Sequence, residues 1–196
     1  MKEILFVILD EFAEWEATPL SAAINQTDGF CVKTASITKK PVKSIGGFTV
    51  IPDYTLSDCK DKNFYGLILI GGKSWRTNMA SQVTAIVNES MRKNILVAGI
   101  CDASVYLGAI GLLNDLEHTS NTLEDMQGYI GEKYSGAKYY KKQQAVRSKN
   151  IITANGTASL EFAKEVLLGL NAMLPQEVEQ WYRFYKFGYY EAMKGL

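Results

Sequence analysis

The stretch Ile95-Leu96-Val97-Ala98-Gly99-Ile100-Cys101-Asp102-Ala103-Ser104-Val105-Tyr106-Leu107 decides how the rest of the chain is read. Ile95–Ile100 is an apolar run too short for a helix and without polar alternation, the mark of a strand buried on both faces. From Ser104 to Leu113, apolar residues at 105, 107, 109, 110 and 112 surround the helix they would form, so a central buried helix is expected there. Cys101 stands between the two, with Gly99 two residues before it and Ala103 two residues after. Small flanks at that spacing are the requirement of a nucleophile elbow of the Gly-x-Ser-x-Gly type, a sharp strained turn beside which bulk would clash. A cysteine at a helix start also meets free backbone N–H groups and the positive end of the dipole, which favour thiolate over thiol. A buried structural cysteine is the competing explanation, because free cysteine is among the most buried residue types.

Outward from this unit, short apolar runs alternate with segments of helical period. Ile4–Leu9, Phe30–Ile37, Leu67–Ile70, Ala145–Ser148 and Ile151–Ala154 read as strands, as does Glu117–Ser120, and Phe48–Ile51 reads as part of a hairpin-like excursion after Gly46-Gly47. Ala17–Asn25, Val83–Met91 and a segment with Leu160, Ala163, Leu167 and Leu170 on one face read as helices. The order implies an α/β fold with a mostly parallel sheet covered on both sides. The 196 residues suit one domain, 1–196. Near the end, at about 176–194, Trp181, Tyr182, Phe184, Tyr185, Phe187, Tyr189 and Tyr190 crowd one expected helix, a composition typical of packing or dimer surface rather than a ligand box.

Lysine plus arginine equals aspartate plus glutamate at 21 each, so no net field draws the chain to nucleic acid or an anionic membrane. The apolar run from Ile4 stops at Leu9 and meets Asp10, Glu11, Glu14 and Glu16, as a first buried strand does and an export signal does not. No segment approaches the roughly 20 apolar residues needed to cross a bilayer. Cys31, Cys59 and Cys101 are odd in number and widely spaced, which gives neither a disulfide framework nor a zinc site, and a reducing cytoplasm is the expected setting. Glu, Cys and one distant His make no recognisable ligand set, so no metal and no cofactor are expected.

In a doubly wound sheet, ligands collect beyond the carboxyl ends of the strands. Three features fall there: the acidic loop 10–16 after the first strand, Gly71-Gly72 after Leu67–Ile70, and Cys101. A glycine lets the backbone come close enough for its N–H to meet a developing oxyanion, which makes the N–H groups of Gly72 and Asp102 the candidate pair.

Taken together, Phe12-Ala13-Glu14-Trp15-Glu16, Ile70-Gly71-Gly72, Ala98-Gly99-Ile100-Cys101, Ile152-Thr153-Ala154-Asn155-Gly156-Thr157-Ala158 and Glu161-Phe162-Ala163 resemble the ThiJ/PfpI family of protein deglycases and PfpI-type intracellular proteases, over nearly the whole chain. The resemblance implies a flavodoxin-like three-layer sandwich, usually dimeric, with an acidic residue hydrogen-bonded to the cysteine; by position that residue is Glu16. A protonated carboxyl can donate to the sulfur, whereas an ionised one would repel it, so Glu16 needs a raised pKa.

The sequence also departs from the family. Asp102 stands where many PfpI-type members carry histidine, and its carboxylate has two expected uses, turning back to Cys101 or capping the helix. The lone histidine, His118, lies three residues before Asn121, where other members often place a histidine. If 117–120 is a strand, positions 118 and 121 face opposite ways, so His118 is not a simple substitute; the two readings are a ring that touches the site and a hydrogen-bonded structural histidine. Glutamine amidotransferases of similar topology need a late His-x-Glu pair, which is absent here, and that activity is set aside. The expectation is a cysteine-dependent hydrolase or lyase using Cys101, Glu16, Gly72 and Asp102 on a small carbonyl or amide substrate, as a homodimer. The alternatives are a redox- or electrophile-sensing stress protein and a non-catalytic scaffold.

Overall fold

The computed structural model describes residues 1–60, 62–192 and 194. In chain order the strands and helices are β1 Lys2–Val7, α1 Glu14–Asn25, β2 Phe30–Ser36, β3 Val42–Lys43, β4 Thr49–Val50, β5 Tyr54–Thr55, β6 Gly66–Leu69, α2 Thr84–Arg92, β7 Leu96–Ile100, α3 Asp102–Ala109, α4 Leu123–Ile130, β8 Ala145–Ser148, β9 Ile151–Ala154, α5 Ser159–Leu170, α6 Pro175–Phe187 and α7 Tyr189–Ala192. Seven strands form one sheet in the order β5-β2-β1-β6-β7-β9-β8, parallel throughout except that β8 runs antiparallel to β9.

Strand alternation sorts the apolar side chains into two layers. Ile4, Phe6 and Ile8 join Leu20 and Ile24 of α1 and Phe162, Val166 and Leu170 of α5 on one face. Leu5, Val7 and Leu9 join Val87 of α2, Val105 and Leu107 of α3 and Met126 of α4 on the other. With both faces covered, the central strands need no polar side chains, which is why they read as continuous apolar runs. The chain leaves β1 for β2 on one side and later returns to β6 on the other, so the order reverses between β1 and β6. That reversal opens a crevice at the carboxyl ends of the strands.

Several expected boundaries shift. The first strand ends at Val7, where pairing with β2 and β6 stops, although Ile8 and Leu9 stay buried. The central helix is shorter than 104–113: it ends at Ala109, and Gly111 follows with φ +86°. Glu117–Ser120 is no strand. It makes a single bridge, His118 to Tyr140, and otherwise Thr119 N donates to Thr153 Oγ1 at 2.8 Å and Thr119 Oγ1 to Gln143 O at 2.9 Å. The expected hairpin shrinks to β3 against β4, with Phe48 and Ile51 exposed.

The aromatic tail is two helices broken at Gly188, whose φ is +84°; residue 193, inside the expected helix, lies outside the described residues. Val178 is buried, Trp181 packs against the α1/α5 layer, and Tyr182 donates to Glu161 at 2.8 Å. Tyr185, Phe187, Tyr189 and Tyr190 remain exposed.

Phe162 is fully buried at the centre of the α5 layer. Phe162→Ala is expected to cost about 3–5 kcal/mol, read as a lower urea midpoint with an unchanged slope. A loss below about 1 kcal/mol would show that α5 is not the cover that closes this face.

Candidate active site

Cys101 forms the junction between β7 and α3, with φ 57° and ψ −130°, a backbone conformation that side-chain-bearing residues rarely adopt. The turn is held on both sides: Cys101 N donates to Ala154 O at 2.9 Å, and its carbonyl accepts from Ser104 Oγ at 2.6 Å and Ser104 N at 3.0 Å. A Cβ added to Gly99 would stand 2.9 Å from Leu107 Cδ1 and 3.2 Å from the Ala103 backbone, which is the crowding expected of an elbow. The thiol is half-buried, whereas Cys59 is buried and spends its S–H on Thr55 O at 3.2 Å.

Glu16 lies on the first turn of α1 and is only 1 % exposed. Its Oε2 accepts from Gly71 N at 2.9 Å, and the carboxyl lies against the Cys101 thiol, within reach of the sulfur's proton. The approach depends on two glycines. A Cβ at Gly71 would overlap Glu16 Oε2 and crowd Cys101 Cβ, and one at Gly156 would stand 2.9 Å from Sγ and 3.2 Å from Glu16 Oε1.

Burial pushes the Glu16 carboxyl up to about 7, against the lowering effects of the Cys101 and Gly71 hydrogen bonds. Burial, followed by the Glu16 charge, pushes the Cys101 thiol up to about 11; the Asn121 hydrogen bond and the Asp102 N–H oppose it. The thiolate expected from the helix start alone is therefore outweighed. The two groups instead titrate as a pair that keeps one proton across the neutral range.

The remaining expected residues divide. Gly72 has φ +143°, and Cβ there would overlap Glu11 O. Its loop is tied to 11–13 by Ala13 N to Gly71 O at 3.0 Å and Lys73 N to Glu11 O at 3.3 Å, bonds that leave the Gly72 N–H itself unused. The Asp102 N–H reaches the Cys101 sulfur. The Asp102 carboxylate does neither of the things expected of it. Arg76 takes it through Nε at 2.9 Å and Nη2 at 2.8 Å, and holds Asp125 of α4 as well, at 3.0 and 2.6 Å.

His118 is fully buried, with Nδ1 donating to Leu116 O at 2.7 Å and Nε2 accepting from Tyr134 OH at 2.6 Å. Burial holds this ring below its ordinary pKa, and it braces the loop without touching Cys101. Asn121, marked in the sequence only as the place of a family histidine and given no role there, has its Nδ2 3.4 Å from Sγ while its Oδ1 accepts from Gly156 N at 2.8 Å. Beside it a groove of about 530 Å³ runs past Thr122, Glu124, Lys142, Gln143 and Asn155. Among the described residues no three His, Cys, Asp or Glu side chains gather to hold a metal, and no helix is long and apolar enough to cross a membrane.

The sequence model of the DJ-1/PfpI family matches residues 2–168. The chain is 37 % identical to the uncharacterized protease YdeA of Bacillus subtilis, over 97 % of this chain and 94 % of that one. It is 25 % identical to the glutathione-independent glyoxalase DJR-1.2 of Caenorhabditis elegans, over 85 % and 87 %. The crystal structure of a thiJ/pfpI family protein from Bacillus anthracis superposes with a TM-score of 0.91 at 29 % identity, covering 98 % of this chain and 94 % of that one.

Two measurements follow from the pair. Once it has lost its first proton, the sulfur reacts through the form with the remaining proton on Glu16, so iodoacetamide alkylation of Cys101 is expected to rise through pH 7, below the ordinary thiol value of about 8.5. In Glu16→Gln the sulfur must lose its proton to solvent against burial, and the inflection should lie above about 8.5; identical profiles would disprove the sharing. Stability gives a second test. Folded Glu16 binds its proton more tightly than the unfolded carboxyl, so its contribution is fully present below about pH 4.5 and lost as pH rises through about 7. Urea unfolding at pH 5 and pH 8 should show a decline in wild type that Glu16→Gln reduces; an unchanged decline in the variant would remove Glu16 as its source.

Proposed function

The chain belongs to the DJ-1/PfpI family, and from that premise we propose that it is a cysteine-dependent enzyme acting on small reactive carbonyl compounds, with Cys101 as nucleophile and Glu16 as the group that gives and takes the proton. The observation that carries this is the Glu16 carboxyl, buried against the sulfur and holding its proton to about pH 7. A general acid works best with a pKa near the working pH.

Addition asks little of such a site. The sulfur bonds to the aldehyde carbon and the carbonyl electron pair moves to oxygen. The N–H groups of Gly72 and Asp102 are the proposed donors to that oxyanion, and Glu16 supplies its proton. With a 2-oxoaldehyde, Glu16 as carboxylate then removes the hydrogen of the former aldehyde carbon as a proton and returns it at the neighbouring carbon, while the hydroxyl proton gained in the addition passes to the neighbouring carbonyl oxygen, leaving a 2-hydroxy thioester. Water releases a 2-hydroxy acid and restores the thiol, so the net change is addition of one water and no external oxidant is needed.

Amide cleavage asks more, because an amine leaving group needs a proton delivered to nitrogen. His118 is held away from the sulfur by Leu116 and Tyr134, and Asp102 is held by Arg76. The glyoxalase name of the nematode relative supports the carbonyl reading, and the protease name of the bacterial one keeps peptide substrates in the test.

Purified wild-type protein is expected to convert methylglyoxal to lactate. Cys101→Ala should fall to the uncatalysed rate, and Glu16→Gln should fall by about 10²–10⁴-fold, the usual worth of a general acid or base. Equal rates in wild type and Cys101→Ala would sink the proposal, as would wild-type turnover of a fluorogenic peptide with none of methylglyoxal.

A further inference from the structure

We infer that Asn121 is a further catalytic residue, whose amide N–H donates to the Cys101 sulfur and holds the negative charge that develops there. The inference rests on the reading of Cys101 as nucleophile and adds a donor that does not titrate.

The first support is the orientation of the amide. Oδ1 accepts the Gly156 N–H at 2.8 Å, and the amide nitrogen lies 3.4 Å from Sγ. Turning the amide over would set its NH₂ against another N–H and its oxygen against the sulfur, losing both bonds. Gly156 thereby fixes which end of Asn121 the sulfur meets.

A second support is the frame behind it. Ser120 pairs with Ser104 at 2.8 Å, and Ser104 holds the Cys101 carbonyl. The Ser120 carbonyl accepts from Tyr140 OH at 3.0 Å, and Thr122 Oγ1 accepts from Asp125 N to cap α4 at 3.0 Å. Side chains flanking Asn121 on both sides are thus engaged in holding the loop, while the Asn121 amide nitrogen is given to the thiol.

The charges around the sulfur define what this donor does. Glu16 faces it from α1, and Asp102 lies beside it on α3 with its carboxylate on Arg76, which also binds Asp125 of α4. Asn121 and the loop at Gly156 bring no charge, and the His118 ring is committed to Leu116 and Tyr134. Asp102, and Glu16 whenever it is ionised, oppose a thiolate, whereas a neutral N–H on the open side favours the ionised sulfur whatever the charge on Glu16.

Asn121→Ala tests this because it removes the donor and adds no charge, whereas a carboxylate at 121 would by itself oppose the thiolate. The pH profile of iodoacetamide alkylation at Cys101 should move up by about one unit, with a rate at pH 7 roughly tenfold lower. If Asn121 only anchors the 155–157 loop, Asn121→Ala will alkylate like wild type, and the inference is overturned. Should the alanine variant fail to fold, Asn121→Val is read in the same way: an upward shift supports the donor and an unchanged profile removes it. Because alkylation is independent of turnover, a protein inactive on methylglyoxal but showing the shift would lose the proposed reaction and keep Asn121 as the sulfur's donor.

Discussion

A carboxyl group buried against a sulfur, with a single proton to satisfy both, is the constraint around which the crevice is built. Glu16 has one oxygen on the Gly71 N–H and its carboxyl set against the Cys101 thiol. Neither group would hold its proton so tightly in water, and burial is the largest cause for both. The arrangement needs three loops at one point, and the sheet delivers them: α1 follows β1, the Gly71-Gly72 turn follows β6, and Cys101 follows β7. Side chains are excluded where the backbones converge, so Gly71 and Gly156 mark the walls of the space that sulfur and carboxyl occupy.

Such a site works against folding. Cys101 takes a backbone conformation that costs of order 1–3 kcal/mol, and a carboxyl is stripped of water to reach it. Both are offset by the layers on either side of the sheet and by fixed local bonds. The Ala154 carbonyl and the Ser104 hydroxyl hold the elbow, and the guanidinium of Arg76 ties the start of α3 to α4. Arg76 also lies 5.0 Å from the Tyr129 ring centroid, so one side chain joins the 73–76 turn to two helices at the rim. This explains Asp102 in the position after the cysteine: its carboxylate serves the rim, while its backbone N–H serves the sulfur.

What could be read from sequence follows how local each feature is. The elbow was legible because Gly99, Cys101 and Ala103 lie within five residues, and the sheet because doubly buried strands leave continuous apolar runs. Glu16 was not legible from its surroundings. It ends an acidic stretch that looks solvated, and only the family resemblance set it apart. The family resemblance marked position 121 and the 152–158 motif, but not what Asn121 and Gly156 do, because Asn121 meets Cys101 and Gly156 only through the fold, 20 and 35 residues away in sequence. The 117–120 segment was misread for a related reason: its polar groups are satisfied by the Thr153 side chain and the backbone at Tyr139 and Lys141, partners that local pattern cannot reveal. Tyr189 and Tyr190 carry helical composition past Gly188, which nevertheless breaks the helix.

The absence of an imidazole at the sulfur sets what chemistry the site can sustain. Its donors are backbone N–H groups and an amide, none of which can give up a proton, and its one exchangeable proton sits between Glu16 and Cys101. A reaction suited to these parts moves one proton at a time between carbon, oxygen and a single carboxyl, and never needs a second acid beside a leaving group. Carbonyl addition followed by internal proton transfer has that form, because each proton Glu16 gives is returned before the next is needed. Amide cleavage with a departing amine makes a different demand, since the proton must be delivered to a leaving nitrogen rather than returned to carbon or oxygen. The same count explains why replacing a titrating ring by Asn121 is compatible with a working nucleophile: the amide stabilises charge on sulfur without competing for the proton that the pair already shares.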